Sequence, residues 1–569
     1  MTSAIRIYSR RYLLLQVGTP LPQSICLTAH HDHLSSERFR GSVYKMKQNP
    51  NHNQVLNLDV LLSIMSISDM STIARLMQAS RQLYHEGPKY LLRDGVDLAE
   101  PSSIRSFVAF MRADYPHRLR LLDLLSISTG RLPGMEAYVL GKFLIDCEPH
   151  LEIQELSIDR AEEFFESSPG LAGAFALLRH VKHLTVSEIG SRANGFLMAS
   201  RSCLVSAVLS MIPLPQDNYE FSDSDSSSSA ASSEKDDDCR NPILQLRNSQ
   251  DTLETLDVRW CDSFSCAGDL YAQTYPHVDT LSLTANELPL SLHYARAFPN
   301  VQHLTLKCDA RELDLLGTDP EDFLNFRVKN QIELTEHQDA AGVGVGAWAS
   351  LQTVHGTLSD HFLLGLVCPV AQLHIKGPLI DKRFFRCVIA ATRPTYVRFN
   401  GFDADLLFAD GGLKRLLRGH LLEPVCALEI MLVPGGFLQP DQVDMPAALD
   451  ALIAGIATLP SVRSFGLTLC GFSLGPGRAD PPPDRARPRQ LCAAEEHLRD
   501  LDLDALALRI RGRVPRLQVV ALALIGHPAR ANVSAVINGE EGEWEEGAVE
   551  MVPVWHAKRM VKIDYVESE

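Results

Sequence analysis

The pentapeptide GFSLG at residues 471–475 is the stretch whose residue types come nearest to nucleophilic chemistry. It matches the GxSxG pattern, in which a serine stands on a tight turn between a strand and a helix. The preceding residues RSFGLTLC predict the strand, and His497, His527 and His556 follow as candidate bases. The residues after the turn, PGRADPPPD, are too rich in proline to form the helix that must face the oxyanion. We therefore predict no catalytic residue here.

The sequence motifs that suggest a metal site or a phosphate-binding loop are also incomplete. The tract HHDH at 30–33 has no further ligands at metal-site spacing, and we interpret it as a solvated polar segment. The glycines of GVGVG at 342–346 lack the lysine and hydroxyl residue of a phosphate loop. The 12 cysteines include no CxxC pair, which favours a reducing compartment over a zinc or disulfide scaffold. We expect no metal, no cofactor and no enzymatic activity.

Charge and hydropathy exclude two further classes of function. The formal charge of −16 at pH 7 argues against a nucleic-acid partner, because phosphate binding requires a basic footprint. No apolar run reaches the roughly 18 residues of a membrane helix. The sequence therefore predicts a soluble protein of the cytoplasm, the nucleus or both.

The chain is organised around a helical stretch near its beginning, residues 56–84. Asn57 is a candidate N-cap, and the apolar residues that follow recur at helical spacing in two runs, separated by the polar residues 66–71. A third short helix is predicted at about 80–85, and Gly87 and Pro88 mark its end. These signals predict a small helical module at residues 51–98.

This stretch resembles the F-box family, in a variant most similar to fungal F-box proteins. The family pattern is roughly L-P-x-E-L-L-x-x-I-F-S-x-L, then D-L, then V-C-R-x-W; here Asn57 replaces its proline, Met65 its phenylalanine and Leu83 its tryptophan. The resemblance implies that the module binds the Skp adaptor and, through it, a cullin. The residues it assigns to that contact are Leu56, Leu58, Val60, Leu61, Ile64, Met65, Ile73, Leu76, Met77 and Leu83. The alternative is an ordinary helical hairpin that belongs to a larger core.

A second repeating pattern of apolar residues runs through residues 102–530. A helical segment leads into a strand with the apolar spacing φ-x-x-φ-x-φ, as in Leu253, Leu256 and Val258, and the cleanest copies recur after 25 and 23 residues. Cys261, Asn286 and Cys470 stand three residues beyond the last apolar position of their copies. This pattern resembles irregular leucine-rich repeats.

The resemblance implies an α/β fold, in which the helical module is followed by a curved solenoid with a parallel sheet. The alternative for these residues is a doubly wound α/β sheet. Four segments belong neither to the helical module nor to the repeating pattern. We predict a disordered basic arm at 1–50, a disordered acidic insert at 216–239, a proline-rich loop at 475–490 and an acidic cap or tail at 531–569.

The positions interleaved with the apolar ones would face away from the solenoid core. In the middle copies they include Arg259, Lys307, His374, Lys376 and Arg398. We predict that these residues bind an acidic or phosphorylated protein target, whereas the alternative is a solvated face of mixed charge. The whole pattern favours a substrate receptor of a cullin-based ubiquitin ligase. A repeat scaffold without a ligase is the first alternative, and a serine hydrolase acting through Ser473 is the remote one.

Overall fold

A computed structural model describes ten segments of the chain. They are residues 57–212, 241–261, 273–285, 288–308, 320–341, 348–377, 382–403, 422–433, 443–471 and 491–538. The predicted arm at 1–50, the acidic insert at 216–239 and the proline-rich loop at 475–490 lie outside these segments. So do Leu56, Asn286, Ser473 and the tail beyond residue 538.

The first described residues form a module of four helices. They are α1 (Leu58–Ile67), α2 (Met70–Ala79), α3 (Arg81–Glu86) and α4 (Pro88–Leu91). Asn57 caps α1 as predicted, since its side chain accepts a hydrogen bond from the Asp59 amide at 3.2 Å. Asp69 caps α2 through the Thr72 amide at 2.9 Å, and this hydrogen bond, with those from Ser71 and Thr72, lowers the pKa of Asp69 to about 2.

The rest of the described chain is built on one sheet of 15 strands. The strands are β1 (Val96–Leu98), β2 (Leu124–Ile127), β3 (Glu155–Ile158), β4 (His183–Ile189), β5 (Ser206–Met211), β6 (Thr255–Cys261), β7 (Thr280–Ala285), β8 (His303–Cys308), β9 (Leu351–Thr357), β10 (Val370–Lys376), β11 (Tyr396–Asp403), β12 (Ala427–Val433), β13 (Ser464–Cys470), β14 (Val519–Ile525) and β15 (Val533–Asn538). Each strand pairs with the next one along the chain, and every pairing is parallel except that of β14 with β15. A doubly wound sheet reverses its strand order at a switch point, so that alternative is wrong for the part of the chain that the structure describes.

Helices connect the strands and cover one face of the sheet. They are α5 (Pro101–Arg112), α6 (Gly134–Cys147), α7 (Ala161–Glu166), α8 (Leu171–Ala176), α9 (Ser191–Ala199), α10 (Pro242–Gln245), α11 (Ser291–Ala297), α12 (Pro320–Ala341), α13 (Leu358–Leu363), α14 (Lys382–Thr392), α15 (Met445–Ile456), α16 (Ala493–Asp500) and α17 (Leu503–Arg513). One continuous apolar core lies between this layer and the sheet, and the predicted apolar positions supply its strand side. Along β6, for example, Leu256 and Val258 are buried while Asp257 and Arg259 face the other way. None of the described helices has the length and the apolar character that crossing a bilayer requires.

The sheet differs from the sequence prediction at its beginning. β1 lies inside the range predicted for the helical module, and β5 was not predicted at all. Leu119, Leu122 and Leu124 fit the apolar spacing of a first copy and predict that Leu124 lies in the core, yet Leu125 and Ile127 are the residues in register with Leu156 and Ile158 of β3. The run of consecutive leucines at this strand allows either register, and the neighbouring strand selects one of them.

The buried cysteines follow from local backbone geometry. Three residues beyond Val258, strict alternation would turn Cys261 to the outer face. A bulge between Arg259 and Cys261, with Trp260 at φ 61°, returns the thiol to the core, where it lies 3.6 Å from the Thr284 carbonyl. Cys470 is also fully buried at the end of its strand. Both cysteines are therefore buried at the ends of strands, but only Cys261 lies in the main core, whereas Cys470 packs with Val433 and Ile525 in a separate apolar cluster.

Candidate interaction surfaces

An apolar stripe runs along the solvent side of α1. Val60, Ile64 and Ile67 are separated by four and three residues, so they share one face of the helix. They remain 45%, 37% and 87% exposed, respectively. Three branched apolar side chains in one row on a short helix form a contiguous patch of the kind that marks an interaction site. We call these three residues the α1 stripe.

The other residues assigned to adaptor binding divide by burial. Met65, Ile73, Met77 and Leu83 are buried and form a core that belongs to the module and is separate from the core of the sheet. Leu58, Leu61 and Leu76 are half-buried at the edge of that small core. Among the predicted residues, those buried in this core hold the helices together, and Val60 and Ile64 are the ones that face solvent. Ile67, the most exposed member of the α1 stripe, was missed by the family pattern.

A buried arginine side chain connects the module to the sheet domain. Arg118 precedes the strand β2 and is 1% exposed. Its guanidinium lies 4.7 Å from the ring centroid of Tyr84 on α3 and 4.2 Å from that of Phe110 on α5, and it donates a hydrogen bond to the Phe110 carbonyl at 2.7 Å. Arg93 adds a hydrogen bond of 3.0 Å to the Ser66 carbonyl near the end of α1. The α1 stripe is therefore presented on a module with fixed attachments.

A basic surface lies on the face of the sheet opposite the helices. As far as Asn400 in β11, the outward positions of strands β8 to β11 carry six basic or imidazole side chains and no carboxylate. The six are His303, Lys307, His355, His374, Lys376 and Arg398. The remaining outward residues are threonines, Gln372, Tyr396 and Asn400. We call the six residues the basic sector.

Strand register fixes how the basic sector is arranged. Thr305, His355, His374 and Arg398 occupy one row across the four strands. Lys307 stands two residues beyond Thr305 and Lys376 two beyond His374, so both lysines belong to the next outward row. Both lysines are exposed, and neither has an ion-pair partner among the described residues.

The two histidines at the centre of the row are stacked. The rings of His355 and His374 lie 4.1 Å apart with 28° between their planes. Burial is the largest cause that lowers the pKa of His355 to about 4 and that of His374 to about 3, and the neighbouring cations Lys376 and Arg398 contribute to both shifts. Both rings are therefore neutral at pH 7, and the lysines and Arg398 carry the positive charge of the sector.

Arg398 is held in place by two polar neighbours. Its Nε donates to the Asn400 Oδ1 at 2.8 Å and lies 3.5 Å from the Glu429 Oε2. Gly466 of the next strand leaves room for that glutamate, since a Cβ there would lie 2.9 Å from the Glu429 Cγ. Glu429 is buried, so the acidic partner of Arg398 is withdrawn from the surface.

The structure brings four of the five predicted target residues together and separates one. Lys307, His374, Lys376 and Arg398 belong to the basic sector, whereas Arg259 lies two strands away from Lys307 and forms an ion pair with Asp257 at 3.4 Å. His303 and His355 were missed. The strand of His355 was a weak copy in the sequence, because Gly356 stands where the third apolar residue belongs.

The described residues show no arrangement of side chains that supports the enzymatic alternatives. Ser473 lies outside them, and both ring nitrogens of the candidate base His527 are engaged: Nε2 lies 2.8 Å from the Glu495 carbonyl, and Nδ1 accepts from the Ala529 amide at 3.1 Å. Within the described segments no three histidine, cysteine or acidic side chains are close enough to hold a metal ion.

No protein-family model matches the sequence, and no curated protein shows significant similarity to it.

Proposed function

We propose that this protein is a substrate receptor of a cullin-based ubiquitin ligase. In this proposal the helical module is an F-box that binds the Skp adaptor through the α1 stripe, and the sheet with its helices is an irregular leucine-rich-repeat solenoid that binds the target. The observation that carries the proposal is the α1 stripe itself. A module with so small a core of its own leaves three branched apolar side chains in water, which favours a partner that covers them.

The sequential order of the strands supports the solenoid part of the proposal. Each unit of strand and connection is beside its chain neighbours, and the buried positions recur in register from β2 to β14. Such an arrangement leaves the outward side chains of the sheet free to differ from strand to strand without affecting the core. The target surface can therefore be specific while the fold stays the same.

The alternative is a repeat scaffold whose helical module only caps the sheet domain. The buried Arg118, which joins α3 to α5, is the observation in its favour, because a cap needs such an attachment. The two functions predict different results when the α1 stripe is changed, since a cap has no use for it.

The test is affinity purification of the tagged full chain, with quantification of the Skp adaptor and cullin that are recovered. We expect Ile64→Asp to remove both subunits, because a carboxylate would have to be buried in the interface. Gln78→Asp on α2 adds the same charge at an exposed position outside the stripe and should leave recovery unchanged. Recovery of neither subunit with the wild-type chain, or equal recovery with Ile64→Asp, would favour the scaffold.

A further inference from the structure

The exposed side of α17 carries a short apolar row. Ala505, Leu508 and Gly512 recur at intervals of three and four residues, so they lie on one face of this helix, and we call them the α17 row. Leu508 is 63% exposed, and a Cβ built at Gly512 would lie in open space. Glycine weakens a helix relative to alanine, yet no described neighbour occupies the space that it leaves. The α17 row is therefore a flat surface that a large side chain can cover.

Arginine side chains flank the α17 row on both sides. On one side Arg509 extends towards α15, where its Nη1 lies 3.4 Å from the Asp450 Oδ1. On the other side Arg511 extends towards the last strand, and its Nη1 donates to the Asn538 carbonyl at 3.4 Å. Arg513 follows in the last turn of the helix and is exposed. Neither Arg511 nor Arg513 has a carboxylate partner among the described residues, so unpaired positive charge lies beside the end of β15.

The part of the chain that follows β15 has a complementary composition. Residues 540–546 read EEGEWEE, and they begin two positions after Asn538. The second half of α17 carries three arginines, and the one carboxylate of this helix is in its first turn. Trp544 is six residues beyond Asn538, and six residues of extended chain span at most about 20 Å. Leu508 is one helical turn, about 4.5 Å along the axis, from the arginine that contacts Asn538. Trp544 can therefore reach the α17 row without any movement of the described elements.

We propose that residues 540–546 fold back over α17 and that the ring of Trp544 packs on the α17 row. Arg511 and Arg513 then pair with the glutamates on either side of the ring. An indole ring covers a large apolar area with few rotatable bonds, and Gly512 allows it to approach the helix backbone closely. The inference goes beyond the proposed function and is independent of it, since it concerns the opposite end of the described chain from the helical module.

Charge distinguishes the α17 row from another exposed apolar row, which lies on α12. Leu324, Val328 and Ile332 are 47%, 41% and 50% exposed, and they share one face of that helix. Acidic side chains outnumber basic ones among the exposed residues around them. An acidic segment is repelled there, whereas at α17 the same segment meets arginines. The row on α12 therefore provides the matched control for the experiment.

The experiment is photocrosslinking within the full chain. A photoreactive benzoylphenylalanine replaces Ala505 at the edge of the α17 row, and mass spectrometry maps the crosslinked peptides after irradiation. We expect the main product to be an intramolecular crosslink to a peptide that contains residues 540–546, and the same probe at Val328 of α12 should not capture that peptide. Trp544→Ala should lower the yield at least about fivefold, because the apolar contact is lost. Trp555→Ala changes the other tryptophan of residues 539–569 and should leave the yield unchanged.

Charge variants test the ion pairs of the same contact. Arg511→Glu with Arg513→Glu should lower the crosslink yield about fivefold or more, since attraction is replaced by repulsion at two positions. Lys142→Glu with Lys329→Glu makes the same change of charge at exposed positions of α6 and α12 and should leave the yield unchanged. Circular dichroism melts verify that the variants are folded.

Four outcomes would overturn the proposal. They are the absence of a crosslink to residues 540–546, a main crosslink to a second copy of the chain or to another segment, equal yields in the wild type and Trp544→Ala, and equal capture by the probe on α12. Equal yields in the two charge variants would overturn the pairing of the glutamates with Arg511 and Arg513.

Discussion

Replacing Met65 by alanine should unfold the helical module while the sheet domain stays folded. Met65 is fully buried, and it is one of four buried residues in a core separate from that of the sheet. Truncating a buried methionine to alanine costs about 2–5 kcal/mol, and so small a core has few other contacts to compensate. Ile67→Ala, two residues along the same helix, is the control. That side chain is 87% exposed, so the change should alter stability by no more than about 0.5 kcal/mol.

Hydrogen exchange followed by mass spectrometry measures the two regions independently. In Met65→Ala we expect amides of residues 57–92 to lose protection, while amides of strands β2 to β5 exchange as in the wild type. Ile67→Ala should leave both regions unchanged. If Met65→Ala instead lowers protection equally in the module and in those strands, the module and the sheet share one cooperative core, and the division of the two cores is refuted.

Three further predictions concern the sheet domain. The stacked histidine pair on β9 and β10 has lowered pKa values, so its contribution to the free energy of unfolding is complete above pH 6.5 and is lost as the pH falls. At pH 5 the loss is at most about 2 kcal/mol for each ring. Denaturant unfolding measured over this pH range should show a flatter dependence of stability on pH in His355→Gln than in the wild type. An unchanged slope would show that this ring is not buried as described. Gly95→Ala should destabilise the protein by about 1–3 kcal/mol, because Gly95 has φ 85° and a Cβ would lie 2.5 Å from a side chain of β2, whereas Gly170→Ala adds a methyl in open space; equal melting temperatures would contradict this reasoning. Cys470, whose pKa burial raises to about 12, should resist iodoacetamide in the native protein, whereas the exposed Cys203 should be labelled, as peptide mass mapping will report.

The sheet could be predicted from sequence where its apolar positions were complete. Copies such as Leu253, Leu256 and Val258 recur at similar intervals, and a parallel sheet with neighbours in chain order follows from the need to bury each copy against the next. β1 and β5 were missed for physical reasons. β1 has three residues, and β5 has an alanine, Ala207, where other copies carry a large apolar side chain, so neither gives a strong periodic signal.

The candidate surfaces were less predictable, because they depend on which neighbours a side chain meets. The spacing on α1 does not distinguish Met65, which is buried by α2 and α3, from Ile67, which is left in water. The repeat pattern placed Lys376 and Arg398 on the same face of the sheet, as the structure does. Only the strand register shows that His355 lies on that face beside them and that Arg259 forms an ion pair with Asp257 instead. The local sequence indicates which face of the sheet a side chain lies on, whereas the tertiary structure determines which side chains it contacts.

The most direct test of the proposed function is a calorimetric titration of purified Skp adaptor into the purified full chain. The proposal predicts saturable binding with one adaptor for each chain, and it predicts that Ile64→Asp eliminates the heat of binding while Gln78→Asp retains it. Absence of saturable binding by the wild-type chain, or binding by Ile64→Asp with unchanged affinity, would contradict the proposal that the α1 stripe is the adaptor site.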